Sequence, residues 1–290
     1  MTRLKGYRLS DWLIILFISL AVLLCLFPML NVLAVSLSSN NAILNSKVVF
    51  WPVELTFRSY ETIFADISMV RSLLFTVQIT ALYTGLGMFL TIACAYPLSK
   101  RHLKGKGVFT LAIIFTMYFS GGTIPHYLLV QSLGLLNTQW ALILPGAIST
   151  FNVIIMRTFF SQLPENLEEA AEIDGASDAY ILVRIALPLS TAVIATLSLF
   201  YAVGKWNSFQ DALFYITKQE LYPLQLKLNA IISSAQNVEP LMEGEQFVET
   251  QLPESIKAGC IMFATLPILL VYPWLQRYFV KGVTLGAVKG

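Results

Sequence analysis

Side chains able to do chemistry are few in this chain and poorly grouped for catalysis. Two histidines, His102 and His126, and three cysteines, Cys25, Cys94 and Cys260, are all that could seed a metal site of nitrogen and sulfur ligands. A zinc site draws three or four such ligands together, and nothing in the spacing does so. The cysteines are odd in number and sit in apolar runs, which suits packing rather than a disulfide. No G-x-x-x-x-G-K-[ST] phosphate loop occurs, and Gly105-Lys106-Gly107 lacks its spacing. No serine, histidine and acid are expected on one side of a membrane. The chain is therefore not expected to be an enzyme, and nucleotide chemistry must fall to another chain.

Charge is concentrated instead in one stretch, Pro164–Ala192, PENLEEAAEIDGASDAYILVRIALPLSTA, where six charged residues lie from Glu165 to Asp178. Each would cost several kcal/mol in lipid, so the stretch must lie in water or against a partner. Pro164 suits the first turn of a helix, and Glu165, Glu168 and Glu169 follow where acids complement the N-terminal dipole. Asp174-Gly175 supplies the stop. Leu167, Ala170, Ala171 and Asp174 recur at helical spacing, which predicts one narrow face of small or apolar groups opposite an acidic face. A face that small lets another backbone come close. Ser177 is the expected N-cap of a second helix that runs into Ile185-Ala186-Leu187-Pro188.

The elements that must position this loop are membrane spans. The chain is 56% hydrophobic and only 12% charged, with mean hydropathy +0.69, against roughly a quarter charged in ordinary globular domains. The net charge of +2 is too small to argue for nucleic acid. Charge-free runs at about 20 residues per crossing predict six helices, over residues 12–37, 72–99, 107–131, 139–160, 183–205 and 257–277. Lys205–Ile216 is expected to extend the fifth of them. The charged loop, 161–182, joins the fourth and fifth, and a polar loop, 233–255, precedes the sixth. The lengths fit helices rather than barrel strands. No separate soluble domain is expected, and the first span is read as retained rather than as a cleaved signal.

Basic residues set the expected orientation. With both termini cytoplasmic, Arg3, Lys5, Arg8, Lys100, Arg101, Lys104, Lys106, Arg157, Arg184, Arg277, Lys281 and Lys289 fall inside, most of the 19 basic residues. The loop 161–182 then lies inside as well, and the loop 233–255 outside.

Glu169-Ala170-Ala171, Asp174-Gly175-Ala176, Ile185 and Leu187-Pro188 resemble the EAA loop of permease subunits in bacterial ATP-binding-cassette importers, EAA-x-x-DGA followed by I-x-LP. Ala192 stands where many members carry a second proline. Asn137-Thr138, Trp206-Asn207 and the tail Arg277–Gly290 are similar to the carbohydrate-uptake branch related to the second maltose permease, near importers of oligosaccharides such as pectin, aldouronate or alginate fragments. The resemblance implies an all-α, type I importer permease fold in the bacterial cytoplasmic membrane. It implies a second homologous permease, two cytoplasmic ATPase subunits that hold ATP and Mg, and an external sugar-binding protein. It also implies that Leu167, Glu169, Ala170, Ala171, Asp174, Gly175, Ala176 and Pro188 couple the permease to an ATPase, and that sugar moves by alternating access.

Polar and aromatic groups at membrane depth are the candidates for a solute path: Tyr118, His126, Lys205, Trp206 and Asn207. Three of them have a plainer reading. His126 suits a hydrogen bond between helices, Trp206 an interfacial belt, and Lys205 a lysine that snorkels at a helix end. Two other classes stay open: an importer permease for amino acids, peptides or polyamines, and a self-sufficient channel or carrier. The latter predicts intramembrane acids or inverted repeats, and neither is visible in the spans.

Overall fold

The computed structural model describes residues 9–236 and 254–287, and all regular structure among them is helical. In chain order the helices are α1 (Leu9–Ser36), α2 (Asn40–Leu44), α3 (Arg58–Ala65), α4 (Ile67–Ser99), α5 (Lys106–Tyr118), α6 (Thr123–Ser132), α7 (Trp140–Ile143) and α8 (Thr150–Phe160). There follow α9 (Glu165–Ile173), α10 (Asp178–Ile181), a π-turn (Leu182–Ala186), α11 (Leu187–Leu189), α12 (Thr191–Asn207), α13 (Gln210–Tyr215), α14 (Leu224–Gln236) and α15 (Glu254–Ala287). Residues 237–253, most of the polar loop expected over 233–255, lie outside the described residues, as do Arg3, Lys5, Arg8 and Lys289.

Among the described residues three helices are long and apolar enough to cross a membrane unbroken: Ser10–Ser36, Ile67–Ser99 and Glu254–Val271. They overlap the residues expected for the first, second and sixth spans. The third, 107–131, is α5 and α6 bent by 110°. The break falls at Phe119-Ser120-Gly121-Gly122, where Gly122 takes φ +86°, a conformation that ends a helix cheaply only at glycine. The fourth, 139–160, is divided into α7 and α8, because Pro145 removes a helical donor and Gly146 turns to φ +72°. The fifth begins at Asp178 and bends by 82° between α11 and α12. Before that bend the Leu187 N–H reaches back to Leu182 O, the i→i−5 bond of a π-turn, next to Pro188, which has no N–H to give. Lys205–Ile216 does not extend α12. That helix stops at Asn207, and Ser208 is extended with ψ 128° before α13 starts.

Contacts divide the chain into two units, the described parts of Met1–Val70 with Leu228–Leu266, and of Arg71–Lys227 with Pro267–Gly290. In the first, α1 is apolar on every side and exposed along most of its length, as a helix bathed in lipid must be. Ser36 Oγ and the Tyr60 hydroxyl share a 2.8 Å hydrogen bond, and Phe64 meets Phe263 edge to face at 5.4 Å.

The second unit positions the site. Its core gathers Met88, Ala95 and Tyr96 of α4, Val153, Met156 and Phe160 of α8, Ala186 of the π-turn, and Val193, Leu197 and Tyr201 of α12. Gly87 is what lets α4 into this core, because a Cβ there would stand 2.9 Å from both Ala147 O and Tyr201 Cε1. Gly85, by contrast, faces open space. A second junction is made by Asn137, held at φ +58°, whose Oδ1 accepts from Thr217 N at 2.7 Å, Thr217 Oγ1 at 3.0 Å and Lys218 N at 3.1 Å. The asparagine tolerates the left-handed conformation and satisfies a loop that would otherwise lose its backbone bonds.

Candidate functional site

The charged stretch folds as α9, a glycine corner and α10. Pro164 stands one place earlier than expected, at the N-cap with ψ 117°, and Glu165 and Glu168 occupy the first turn. At the other end Asp174 is the C-cap, and Gly175 takes φ +80°. Gly175 N–H donates to Glu172 O at 3.0 Å and Ala176 N–H to Ala171 O at 2.9 Å. These are the two bonds of a Schellman motif, which explains why the sequence there is Asp-Gly-Ala. Ser177 caps α10 as expected, its Oγ accepting from Tyr180 N at 3.4 Å.

The two faces of α9 part as their spacing predicts. Glu165 and Glu168 turn to the basic end of α4, where Glu165 meets Arg101 Nε at 2.7 Å and Glu168 meets Lys100. Those acids, with Glu169 and Glu172, border a cavity of about 470 Å³ whose other wall carries Lys100, Arg101, His102 and Lys106. Burial pulls the Lys100 pKa down, but the hydrogen bond to Glu168 and the nearby Tyr96 oxygen outweigh it and the net shift is upward, so the lysine stays charged. Leu167, Ala170 and Asp174 are exposed on the other face, Ala171 is half-buried, and no α9 residue is buried. Ile173 next to the corner is 86% exposed. The helix is thus tied by charge on one side and bare on the other, with no residue fully buried.

A second cavity, of about 460 Å³, opens between α4, α8 and α12. Tyr83, Ser149, Phe151, Asn152, Phe200, Tyr201, Gly204 and Lys205 line it. The Tyr201 hydroxyl is shared with Thr91 Oγ1 at 2.8 Å and accepts from Ser149 N at 2.9 Å; the Tyr83 hydroxyl donates to Gly146 O at 2.7 Å. Aromatic rings and fixed hydroxyls in one concavity are what a sugar needs, apolar faces for its C–H surface and hydrogen-bonding groups for its rim.

Of the residues expected on a path, only Lys205 lines this cavity. It does not snorkel: it is buried, pairs with Asp211 Oδ2 at 3.2 Å and lies 5.0 Å from the centre of the Tyr83 ring. Trp206 points elsewhere, into an apolar groove with Val77, Thr80 and Thr84. Asn207 is exposed and returns its amide to Val203 O at 2.9 Å, while Tyr118 and His126 are exposed on α5 and α6. Tyr83, Asn152 and Tyr201 went unremarked in the sequence, although the criterion that picks out Tyr118, an aromatic or polar group at membrane depth, applies to them equally. Among the described residues no group of three His, Cys, Asp or Glu is placed to hold a metal ion.

Comparison with known proteins converges on one family. The profile described as binding-protein-dependent transport system inner membrane component matches residues 106–285. Protein LplC of Bacillus subtilis (strain 168) is 44% identical over 99% of this chain and 97% of its own length. The polygalacturonan/rhamnogalacturonan transport system permease protein YtcP of the same organism is 41% identical over 98% of this chain and 99% of its own. Among solved structures, a chain of a bacterial ABC transporter involved in the import of the acidic polysaccharide alginate superposes with a TM-score of 0.85. It is 30% identical, and the match covers 95% of this chain and 99% of that one.

Proposed function

Because the chain belongs to the family of inner membrane components of binding-protein-dependent transport systems, we propose that it is the permease subunit through which an oligosaccharide enters the bacterial cell. It is a multi-pass inner membrane protein and a translocation pathway rather than an enzyme, and it works with an ATPase and a binding protein. The observation that carries the solute class is the pair of relatives named for acidic polysaccharides, one for polygalacturonan/rhamnogalacturonan and one for alginate, each aligned over nearly the whole chain. Both names are of saccharides, which favours a sugar over amino acids, peptides or polyamines. A uronate-containing oligosaccharide is thus the proposed cargo.

In this reading the permease pairs with a second, homologous permease, both termini are cytoplasmic, and two ATPase subunits hold ATP and Mg. The bare face of α9, formed by Leu167, Ala170, Ala171 and Asp174, docks on one ATPase, with Glu169 beside it and Gly175 and Ala176 fixing the corner. Pro188 places the π-turn that leads from the docked segment into α12. Sugar passes the cavity of Tyr83, Asn152, Tyr201 and Lys205; Tyr118 and His126 flank the bend between α5 and α6, and Trp206 and Asn207 continue α12 beyond Lys205. Nucleotide-driven closure of the ATPases biases α9 between two arrangements, which is how energy spent elsewhere opens the path. The test is uptake by vesicles carrying the complete transporter and its binding protein. Oligogalacturonate should enter with ATP, and a neutral oligosaccharide of the same length should enter more slowly. Preference for the neutral sugar, or for a non-sugar solute, would refute the assignment.

A further inference from the structure

The C-terminal end of α4 is held from three directions. The last carbonyls of a helix have no partner within it, and here two other elements supply cations. Arg157 Nε of α8 donates to Leu98 O at 3.1 Å, and Lys106 Nζ of α5 donates to Ser99 O at 3.1 Å and Lys100 O at 3.3 Å. Positive charge on those carbonyls also complements the helix dipole. The ends of α4, α5 and α8 are thereby pinned into one block.

Lys100 turns the other way, out of the block and onto α9. Its Nζ pairs with Glu168 and stands 4.4 Å from the centre of the Tyr96 ring, whose own edge-to-face partner at 5.6 Å is Phe160 of α8. The second ion pair to α9, Arg101 with Glu165, is open to solvent on both sides, at 83% and 51% exposure, and a pair of that kind contributes little. Lys100 and Glu168 are shielded, at 12% and 21%. No α9 residue is fully buried, and of the two ion pairs that tie the helix to the end of α4 this is the shielded one. The same helix α4 carries Tyr83 to the cavity, about 25 Å from Lys100 at 1.5 Å per residue.

We propose that Lys100 and Glu168 are the positioning pair through which movement of α9 is passed to α4 and hence to the wall of the cavity. This rests on the reading that α9 docks on an ATPase. A shielded, hydrogen-bonded pair holds one geometry, so displacement of α9 displaces the α4 end, and the carbonyl contacts carry α5 and α8 with it. Without the pair, α9 stays docked but moves without taking α4 along.

The experiment uses the whole reconstituted transporter with Lys100→Gln, Glu168→Gln, the exchange Lys100→Glu with Glu168→Lys, and Lys100→Arg. Three quantities are read: ATPase subunits retained on purification, ATP hydrolysed, and oligogalacturonate carried per ATP. Each single glutamine variant should keep its ATPases and its hydrolysis while sugar carried per ATP falls by about fivefold or more, the scale of typical coupling between sites. Lys100→Arg and the exchanged pair should recover most of that loss. The proposal is overturned if the glutamine variants match the parent, if the exchange does no better than they do, or if they shed the ATPases, because the pair would then shape docking rather than transmit it. Failure of the docking reading shows separately, as full ATPase retention and coupling in a variant with Ala170→Trp on the bare face of α9.

Discussion

Lys205 and Asp211 form an ion pair at 3.2 Å across the break between α12 and α13, and the two ends of the pair are unequally buried, 5% exposed at the lysine and 39% at the aspartate. Removing one partner of a fully buried pair costs about 3–5 kcal/mol because a charge is left stranded. Here the cost depends on which charge remains. Asp211→Asn strands a buried ammonium and should destabilise by about 2 kcal/mol, whereas Lys205→Gln leaves a half-exposed carboxylate and should cost under about 1 kcal/mol. Thermal unfolding of the purified subunit in detergent ranks the two, and the opposite order would show that the pair is not arranged as described. Lys205→Gln also leaves the Asp211 carboxylate unpaired beside the cavity that Lys205 lines, so it should slow an acidic sugar more than a neutral one of the same length.

Gly87 makes a sharper demand. The atoms a Cβ would meet at 2.9 Å include a backbone carbonyl, Ala147 O, which has little room to retreat. Gly87→Ala should destabilise by about 1–3 kcal/mol through overpacking alone, while Gly85→Ala, with nothing within 4 Å, should be stabilising or neutral. Equal effects of the two alanines on the unfolding midpoint would remove Gly87 from the core contact.

Asn137 separates backbone from side chain. Asn137→Gly keeps the φ +58° conformation but loses the acceptor for Thr217 and Lys218, a cost of about 1 kcal/mol. Asn137→Ala loses the acceptor and strains the backbone by about 1–2 kcal/mol more. Alanine should therefore lower the unfolding midpoint further than glycine; alanine at or above glycine would mean that the loop does not depend on this residue's conformation.

What could be read from the sequence was local. Helix α9 stops where Gly175 says it should and starts within one place of where Pro164 and its acids put it, because capping and dipole chemistry act within a turn or two. The broken spans were harder. Counting apolar residues measures composition, not direction, so 107–131 and 139–160 each pass for one helix although Gly121-Gly122 and Pro145-Gly146 break them. The Lys205–Asp211 pair was hidden for a related reason: in one continuous helix, residues six apart point about 120° apart around the axis and do not meet, and the extended Ser208 brings them together. The cavity could not be foreseen from spacing at all, since Tyr83, Asn152 and Tyr201 come from three helices that meet only through tertiary packing.

The corner after α9 gives a further prediction. Gly175 has open space around it but sits at φ +80°, so its constraint is conformational rather than steric. A β-branched residue cannot hold that conformation without strain. Gly175→Val should still insert and fold, its unfolding midpoint lowered by no more than the local strain of about 1–2 kcal/mol, while the subunit loses its ATPases or its sugar-stimulated ATP hydrolysis. Glu169→Lys, which reverses charge beside the docking face, should act in the same direction. Unimpaired uptake by both variants would mean that the shape and charge of this corner are not read by a partner.

The central claim, that the bare face of α9 is covered by an ATPase, is tested most directly by a single cysteine at Ala170 in a background with Cys25, Cys94 and Cys260 replaced. In the assembled transporter this cysteine should be shielded from a water-soluble thiol reagent and should cross-link to the ATPase with a short bifunctional reagent, and in the isolated subunit it should react freely. Equal labelling in both states, with no cross-link to the ATPase, would contradict the account.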